Sequence, residues 1–532
     1  MLTEPILSHE SEYSRNQILP VTLNQLALPD GGVGYEINFK ETRTVSIIVT
    51  PAQNMASDER DNITLNMLQK EGPTATQPEG RKMNQYLAAT IAALGAVTIG
   101  TGLAWTSPVL PILTSTTETS VLNEPVDPGQ ASLIGSLIAI GAIFGALPAG
   151  SIADKFGRKP VILAFCIPFI ISWVLILFAK NVLMLFAARF IAGVATGGLS
   201  AIIPMFIGEI AESSIRGALG SFFQMFLTLG ILYLYCLGLS TYTVIAIGCL
   251  AVPILLLVLF FLVVPETPIY LMKSGNNKKA EVSLRFYRGS RYDVPMELAA
   301  IQREIDAAAR KKASFSDLVS SRANLRALII SLGLMVFQQF SGVNAVIFYS
   351  NAIFKSAGST LDPGISAIIV GIVQFIMTAL SVVLVDKAGR RILLLLSDFV
   401  MALCLGVLGF YFYMMEDGKD VSSISFLPLL SVIFFIVMFS LGYGPIPWMM
   451  VGELFAPEVK GSATGIAVAL NWISAFIVTL CFGFLVNNLG SAATFWIFSV
   501  ICFVGTLFTF VLVPETKGKT LNQIQRELGG GK

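Results

Sequence analysis

The sequence predicts an all-α membrane protein: twelve transmembrane helices in two six-helix halves, with a cytosolic helical linker between them. Three observations predict it. The 532 residues are 54% hydrophobic and only 13% charged, against roughly 25% charged in soluble domains. Apolar runs recur at 86–108, 131–153, 160–179, 182–207, 217–239, 241–264, 327–350, 364–385, 392–414, 425–450, 462–487 and 492–513; a span needs about 20 helical residues to cross about 30 Å of hydrocarbon. Finally, three motifs occur twice in one order. "DKFGRK" at 154 returns as "DKAGRR" at 386, "GEIAESSIRG" at 208 as "GELFAPEVKG" at 452, and "PETPIYL" at 265 as "PETKGKTL" at 514. A parallel repeat of this kind places a binding site near the bilayer midplane, between two halves that rock against each other.

Taken in order, residues 1–83 are polar, mixed in charge and weakly periodic, and predict a disordered cytosolic tail. The opening "MLTEPILSHE" has neither a basic n-region nor an apolar h-region, so no secretory signal is expected. The "NIT" at Asn62 matches a glycosylation acceptor that a cytosolic tail would leave unused. Residues 84–264 form the first six-helix half, 265–326 the linker, 327–514 the second half and 515–532 a cytosolic carboxyl-terminal tail. The linker carries Lys273, Lys278, Lys279, Arg285, Arg288 and Arg303, whereas 109–130 has acids but no Lys or Arg. The positive-inside rule therefore puts the linker and both termini in the cytosol.

Several function classes are excluded. A net charge of +1 gives no reason for a nucleic-acid partner. The six cysteines lie singly in apolar runs and His9, in the tail, is the only histidine, so no metal site, cofactor or histidine proton relay is expected in the spans. "GKT" at Gly518–Thr520 has Val513 where a nucleotide-binding loop needs glycine, so no nucleotide partner is expected.

Polar residues inside the apolar runs need explaining, because each amide is costly in lipid unless satisfied. On a continuous helix of about 100° per residue, Gln338, Ser341, Asn344 and Tyr349 of "QQFSGVNAVIFYS" share an arc of roughly 140°, with Gln339 beside it. Such an arc suits the wall of a watery cavity whose amides donate to and accept from a neutral polyol; the competing reading is amide glue between helices. Gln224, Gln374, Asn471, Trp472 and Trp448 supply similar groups from other spans. Asp398, several residues into the ninth span, is an intramembrane acid expected to be partnered by the nearby Arg390–Arg391 pair.

These motifs, together with "RFIAGVATGGLSAIIPMFIGEIAESSIRGALG" from Arg189 to Gly220 and "GYGPIPW" from Gly442 to Trp448, resemble the sugar-porter family of the major facilitator superfamily, over about residues 84–525. "PETPIYL" and "LGYGPIPWMMVGELF" look more like the insect facilitated trehalose and glucose transporters than the mammalian glucose carriers. The resemblance implies a transporter rather than an enzyme, embedded in the plasma membrane and moving a hexose or trehalose. It implies that Gln224, Gln338, Gln339, Asn344, Gln374 and Asn471 hydrogen-bond the sugar while Trp448 and Trp472 stack on it. It also implies a cytosolic gate made of Asp154, Arg158, Glu209 and Arg216 with Asp386, Arg390, Glu453 and Lys460, read as an ion-pair latch between the halves. Proton-coupled relatives place an acid in the first span opposite the arginine matching Arg189, where this chain has Gly102. Downhill uniport is therefore expected, with a proton-coupled symporter or a transporter-like sugar sensor as the alternatives.

Overall fold

A computed structural model describes residues 21–27, 33–39 and 43–49 and, from 80 to 530, all but short segments at 116–121, 123, 213, 291, 311–316, 359–360, 456 and 520. His9 and Asn62 lie outside the described residues. The chain divides into two units, Met1–Gln77 and Pro78–Lys532.

The smaller unit departs in part from the expected disordered tail. Its described residues form an antiparallel meander of β1 (Val21–Ala27), β2 (Val33–Phe39) and β3 (Arg43–Val49), with Val21 opposite Phe39 and Val33 opposite Val49. The strands are rich in β-branched residues, and "PDGG" lies between the first two, a hairpin signal that average polarity hides.

The larger unit is all-α. Among the described residues eleven helical segments are long and apolar enough to cross a membrane. The last of them, Val459–Leu512, has 54 residues, more than twice what one crossing needs. Gly490 breaks it with a φ of 84°, a backbone that glycine adopts freely. The chain therefore makes twelve passes, six on each side of the linker helices Pro268–Lys273, Asn277–Arg288, Val294–Arg310 and Asp317–Ser320. The first half also anchors the linker: the Arg288 guanidinium donates to the Ile210 carbonyl (2.7 Å) and pairs with Glu297 (2.8 Å).

Helix packing in the first half rests on small residues. The second span (Pro128–Phe156) and the fourth (Val182–Ile210) cross through Gly141 and Gly145 on one and Gly193 and Gly197 on the other. A Cβ on Gly197 would collide with the Ala142 carbonyl, and one on Gly145 with the Val194 carbonyl. Lipid supplies no hydrophobic drive between helices, so this close backbone approach is what gains dispersion contacts.

These crossings should not tolerate a side chain. Replacing Gly197 with valine should abolish monodisperse protein on gel filtration in detergent, whereas Gly217→Ala, where a Cβ would meet open space, should leave the elution profile intact.

Candidate sugar-binding site and gates

The seventh span is not one helix. Arg322–Phe340 ends at Ser341, Gly342 takes a left-handed φ of 84°, and Val343–Ser356 resumes with a further non-helical residue at Tyr349. The continuous helical arc expected for Gln338, Ser341, Asn344 and Tyr349 is therefore wrong, because the glycine re-aims everything after it. The tenth span is broken too, between Leu427–Leu441 and Ile446–Leu454. Pro447 has no N–H to give the Tyr443 carbonyl four residues earlier.

The two breaks meet. The Gln338 side-chain NH2 donates to the freed carbonyls of Tyr443 (2.6 Å) and Gly444 (2.9 Å). From there a relay of uncharged amides runs outward: Asn471 donates to Gln338 (2.8 Å), Gln339 to Asn471 (3.0 Å) and Asn344 to Gln339 (2.5 Å). Gln338, Gln339 and Asn471 are buried. The structure thus joins four of the sequence-selected residues, and in this state they satisfy one another rather than line open water. Met335 ties the relay to a cavity, since its sulfur accepts from Asn471 (3.4 Å). That cavity, of about 170 Å³, is lined by Met335, Trp448, Val451, Lys460, Thr464 and Val468 among others. Trp448 is 40% exposed. Trp472 Nε1 and Gln374 Oε1 are buried polar atoms without a protein partner. Gln224 is half-buried and is not brought into the relay.

The first half holds a buried cation. Arg189 donates to the carbonyls of Gly102 (2.7 Å) and Ile134 (3.0 Å), and its guanidinium carbon lies 5.3 Å from the Trp105 ring. Carbonyl dipoles and an aromatic face take the place of a carboxylate.

At the linker ends of the spans the charges form two matching clusters. In the first, Arg158 donates to Glu209 (2.9 Å) and Asp154 (2.9 Å), while Thr267 donates to the other Glu209 oxygen (2.5 Å). In the second, Arg390 pairs with Glu453 (3.1 Å) and Thr516 donates to Glu453 (2.5 Å). In this state each ion pair closes within its own half rather than between the halves. The reason lies in the PET motifs, which turn back beneath the half they follow and bring Thr267 and Thr516 to the same carboxylates. Glu266 accepts from the Lys159 amide (3.0 Å), and Glu515 from those of Arg390 and Arg391 (3.0 Å each). Burial pushes the Glu266 carboxyl up despite its bonds; at Glu515 burial pushes the same way, but four backbone N–H groups outweigh it and hold the carboxyl below its ordinary range. Arg216 and Lys460 are exposed, and the Asp386 side chain lies outside the described residues. The four PET residues were missed as gate members, although their repetition in the sequence was the signal for them.

Asp398 also needs correcting. It is fully buried beside Tyr443 and Cys502, against Gly505, where a Cβ would strike its carboxylate. The arginines turn elsewhere: Arg390 to Glu453, and Arg391 to the Phe510 carbonyl (2.7 Å). Eight helical residues, about 12 Å of rise, separate Asp398 from Arg390.

The geometry is that of a multi-pass membrane protein with uncharged amides buried between its spans, and comparison with known proteins places it in a family. The family model described as sugar (and other) transporter matches residues 88–528. The chain belongs to this sugar transporter family. This transporter is 41% identical to trehalose transporter 1 of Drosophila melanogaster over 449 residues, 84% of this chain and 52% of that one. It is 42% identical to the facilitated trehalose transporter Tret1-1 of Drosophila sechellia over the same length. The chain spans about half the length of the curated relatives it matches. Among solved structures, it is similar to the xylose transporter XylE from E. coli in a partially occluded inward open conformation, with a TM-score of 0.70 and 27% identity, covering 82% of this chain and 100% of that one. It also matches the major facilitator superfamily proton:xylose symporter XylE bound to 6-bromo-6-deoxy-D-glucose, with a TM-score of 0.67 and 26% identity over 84% of this chain and 100% of that one. The transporter is thus a multi-pass membrane protein of a family that carries solutes rather than transforming them.

Asn471 is the centre of the relay, bonded to both Gln338 and Gln339. Asn471→Ala would strand Gln338 Oε1 and Gln339 Nε2, and each stranded buried group costs about 1–3 kcal/mol. The half-saturating sugar concentration should rise about tenfold or more in uptake assays, with surface expression unchanged.

Proposed function

We propose that this chain carries a small neutral sugar, trehalose or a hexose, across the plasma membrane as a uniporter working by alternating access, with both termini cytosolic. The carrying observation is the uncharged amide relay from Asn344 to Gln338. Sugar hydroxyls can replace each amide–amide bond with an equivalent amide–hydroxyl bond, so binding and release stay nearly balanced. Trp472 Nε1 and Gln374 Oε1 offer a free donor and acceptor, and half-exposed Trp448 offers an aromatic face for a sugar's C–H side. The names of the relatives favour trehalose; the glucose derivative bound to XylE favours a pyranose.

The resting state fits an inward-facing carrier. The halves are joined near the ends of the spans opposite the linker, where Thr106 donates to the Phe348 carbonyl (3.0 Å) and Tyr235 to the Ile347 carbonyl (2.9 Å). In the outward-facing state exposed Arg216 and Lys460 would reach the Glu453 and Glu209 clusters across the closed linker side, which is where a latch between halves would act.

Proton coupling is the reading to be separated, because XylE is named a proton:xylose symporter. Against it stands Arg189, whose partners are carbonyls of Gly102 and Ile134, groups that do not titrate. A protonophore should therefore leave uptake into proteoliposomes unchanged, and sugar should run down its gradient in either direction. Accumulation driven by a pH difference alone would overturn uniport and make Asp398 the first residue to mutate.

A further inference from the structure

At the break in the tenth span both backbone groups of Tyr443 leave helical bonding. Regular spacing would pair its N–H with the Phe439 carbonyl, but that carbonyl accepts from Gly444 instead (2.7 Å). The Tyr443 N–H donates to the Ser397 hydroxyl (3.3 Å), which gives its own hydrogen to the Met438 carbonyl (2.8 Å). The Tyr443 carbonyl goes to Gln338 (2.6 Å). The far end of the same residue is held too, since its hydroxyl, beside Asp398, lies 3.0 Å from Thr509 Oγ1 of the twelfth span. Tyr443, Ser397 and Thr509 are all fully buried, where only the protein can supply such partners.

The internal repeat ties the serine to the break. The offset of the DKxGR motifs carries Phe165 of the third span (Arg158–Leu177) to Ser397 of the ninth (Arg390–Glu416), and that of the GE motifs carries Gly198 of the fourth to Gly442 of the tenth. The same two positions meet in each half: a Cβ on Gly198 would strike the Phe165 ring, and one on Gly442 the Ser397 side chain. In the first half a phenyl ring packs on an unbroken helix, Val182–Ile210. In the second a hydroxyl bonds a broken one, and only a side chain with an oxygen can take the orphaned N–H.

Tyr443 in turn gives the amide relay its direction. A carbonyl can only accept, so the Tyr443 and Gly444 oxygens make Gln338 turn its NH2 toward them and its Oε1 toward Asn471. The amides beyond follow suit, Gln339 donating to Asn471 and Asn344 to Gln339. We propose that Ser397 and the Tyr443 hydroxyl are positioning groups for sugar binding: they hold Tyr443 at its N–H and at its ring, and so keep the two carbonyls where they orient the relay. This rests on the relay being the sugar site. It adds that affinity is set in part from the ninth and twelfth spans, by groups that touch no amide of the relay.

The test measures uptake of labelled trehalose, or of glucose if trehalose is not carried, into proteoliposomes holding the full chain with Ser397→Ala or Tyr443→Phe. Each removes one hydroxyl and should raise the half-saturating concentration about threefold to tenfold, while the maximal rate stays within about twofold of wild type. In a Gln338→Ala background neither substitution should raise it further, because the amide that Tyr443 orients is gone. A fall in maximal rate alone, or an effect that multiplies with that of Gln338→Ala, marks a general loss of packing and overturns the proposal. A Gln338→Ala effect without a Ser397→Ala effect overturns the proposal alone, whereas wild-type kinetics in Gln338→Ala sink the sugar-site reading beneath it. Amide hydrogen exchange at Tyr443 in the purified chain needs no sugar. Faster exchange in Ser397→Ala supports the clamp on Tyr443, and unchanged exchange overturns it.

Discussion

Inside hydrocarbon, a backbone N–H or C=O without a partner costs several kcal/mol, and only the protein can supply that partner. The architecture of this chain depends on that constraint. Its spans are broken at Gly342 and Gly442–Pro445, distorted at Tyr349 and interrupted at Trp105, whose backbone keeps helical angles, and carbonyls near these places find a side chain. Arg189 takes the Gly102 carbonyl, Ser341 the Gln338 carbonyl, and Gln338 the carbonyls of Tyr443 and Gly444. Irregular backbone and intramembrane polar side chains are therefore one feature seen from two directions. A polar residue kept for function must be satisfied between sugar-bound states, and a freed carbonyl is the nearest fixed acceptor.

Rigidity is distributed to match. Each half is tied within itself, by glycine crossings in the first and by a carboxylate–arginine–threonine cluster at the linker end of both. Glu209 and Glu453 each hold an arginine of their own half and a threonine of the segment that follows it, so neither cluster is shared between the halves. Between the halves, among the described residues, hydroxyl groups of Thr106, Tyr235 and Ser107 bond the backbone of the seventh span.

What the sequence made legible follows from the same physics. Hydropathy finds spans because bilayer thickness fixes their length, and the repeated DKxGR, GE and PET motifs expose the two halves. Hydropathy alone could not see that the seventh span turns at Gly342, since a left-handed glycine inside an apolar run leaves the run apolar. The amides at 338, 339, 344 and 471 were identifiable as costly residues in lipid, but not their mutual bonding, because it joins spans more than 120 residues apart. Asp398 was assigned to arginines near it in sequence, whereas folding surrounds it with the tenth and twelfth spans. Thr106, Ser107 and Tyr235 carried no signal at all, for a hydroxyl in a membrane helix usually bonds its own backbone.

The charge arrangement bears on the proposed uniport. A buried guanidinium is expensive unless fully satisfied, and a carboxylate partner would bring a group able to take up a proton as the site changes its exposure. Arg189 is instead held through Nε and Nη1 by two carbonyls and lies over the Trp105 ring, with Nη2 buried and without a hydrogen-bond partner; none of these partners carries a charge. The cation then acts as a fixed clamp between the first, second and fourth spans, and its energy does not change with pH during the cycle. With neutral amides in the relay, the proposed uniport would leave the difference between two facing states to hydrogen bonds and packing. Such terms are individually about 1 kcal/mol, small enough for thermal motion to reverse, and they allow a carrier to equilibrate sugar in both directions without an ion gradient.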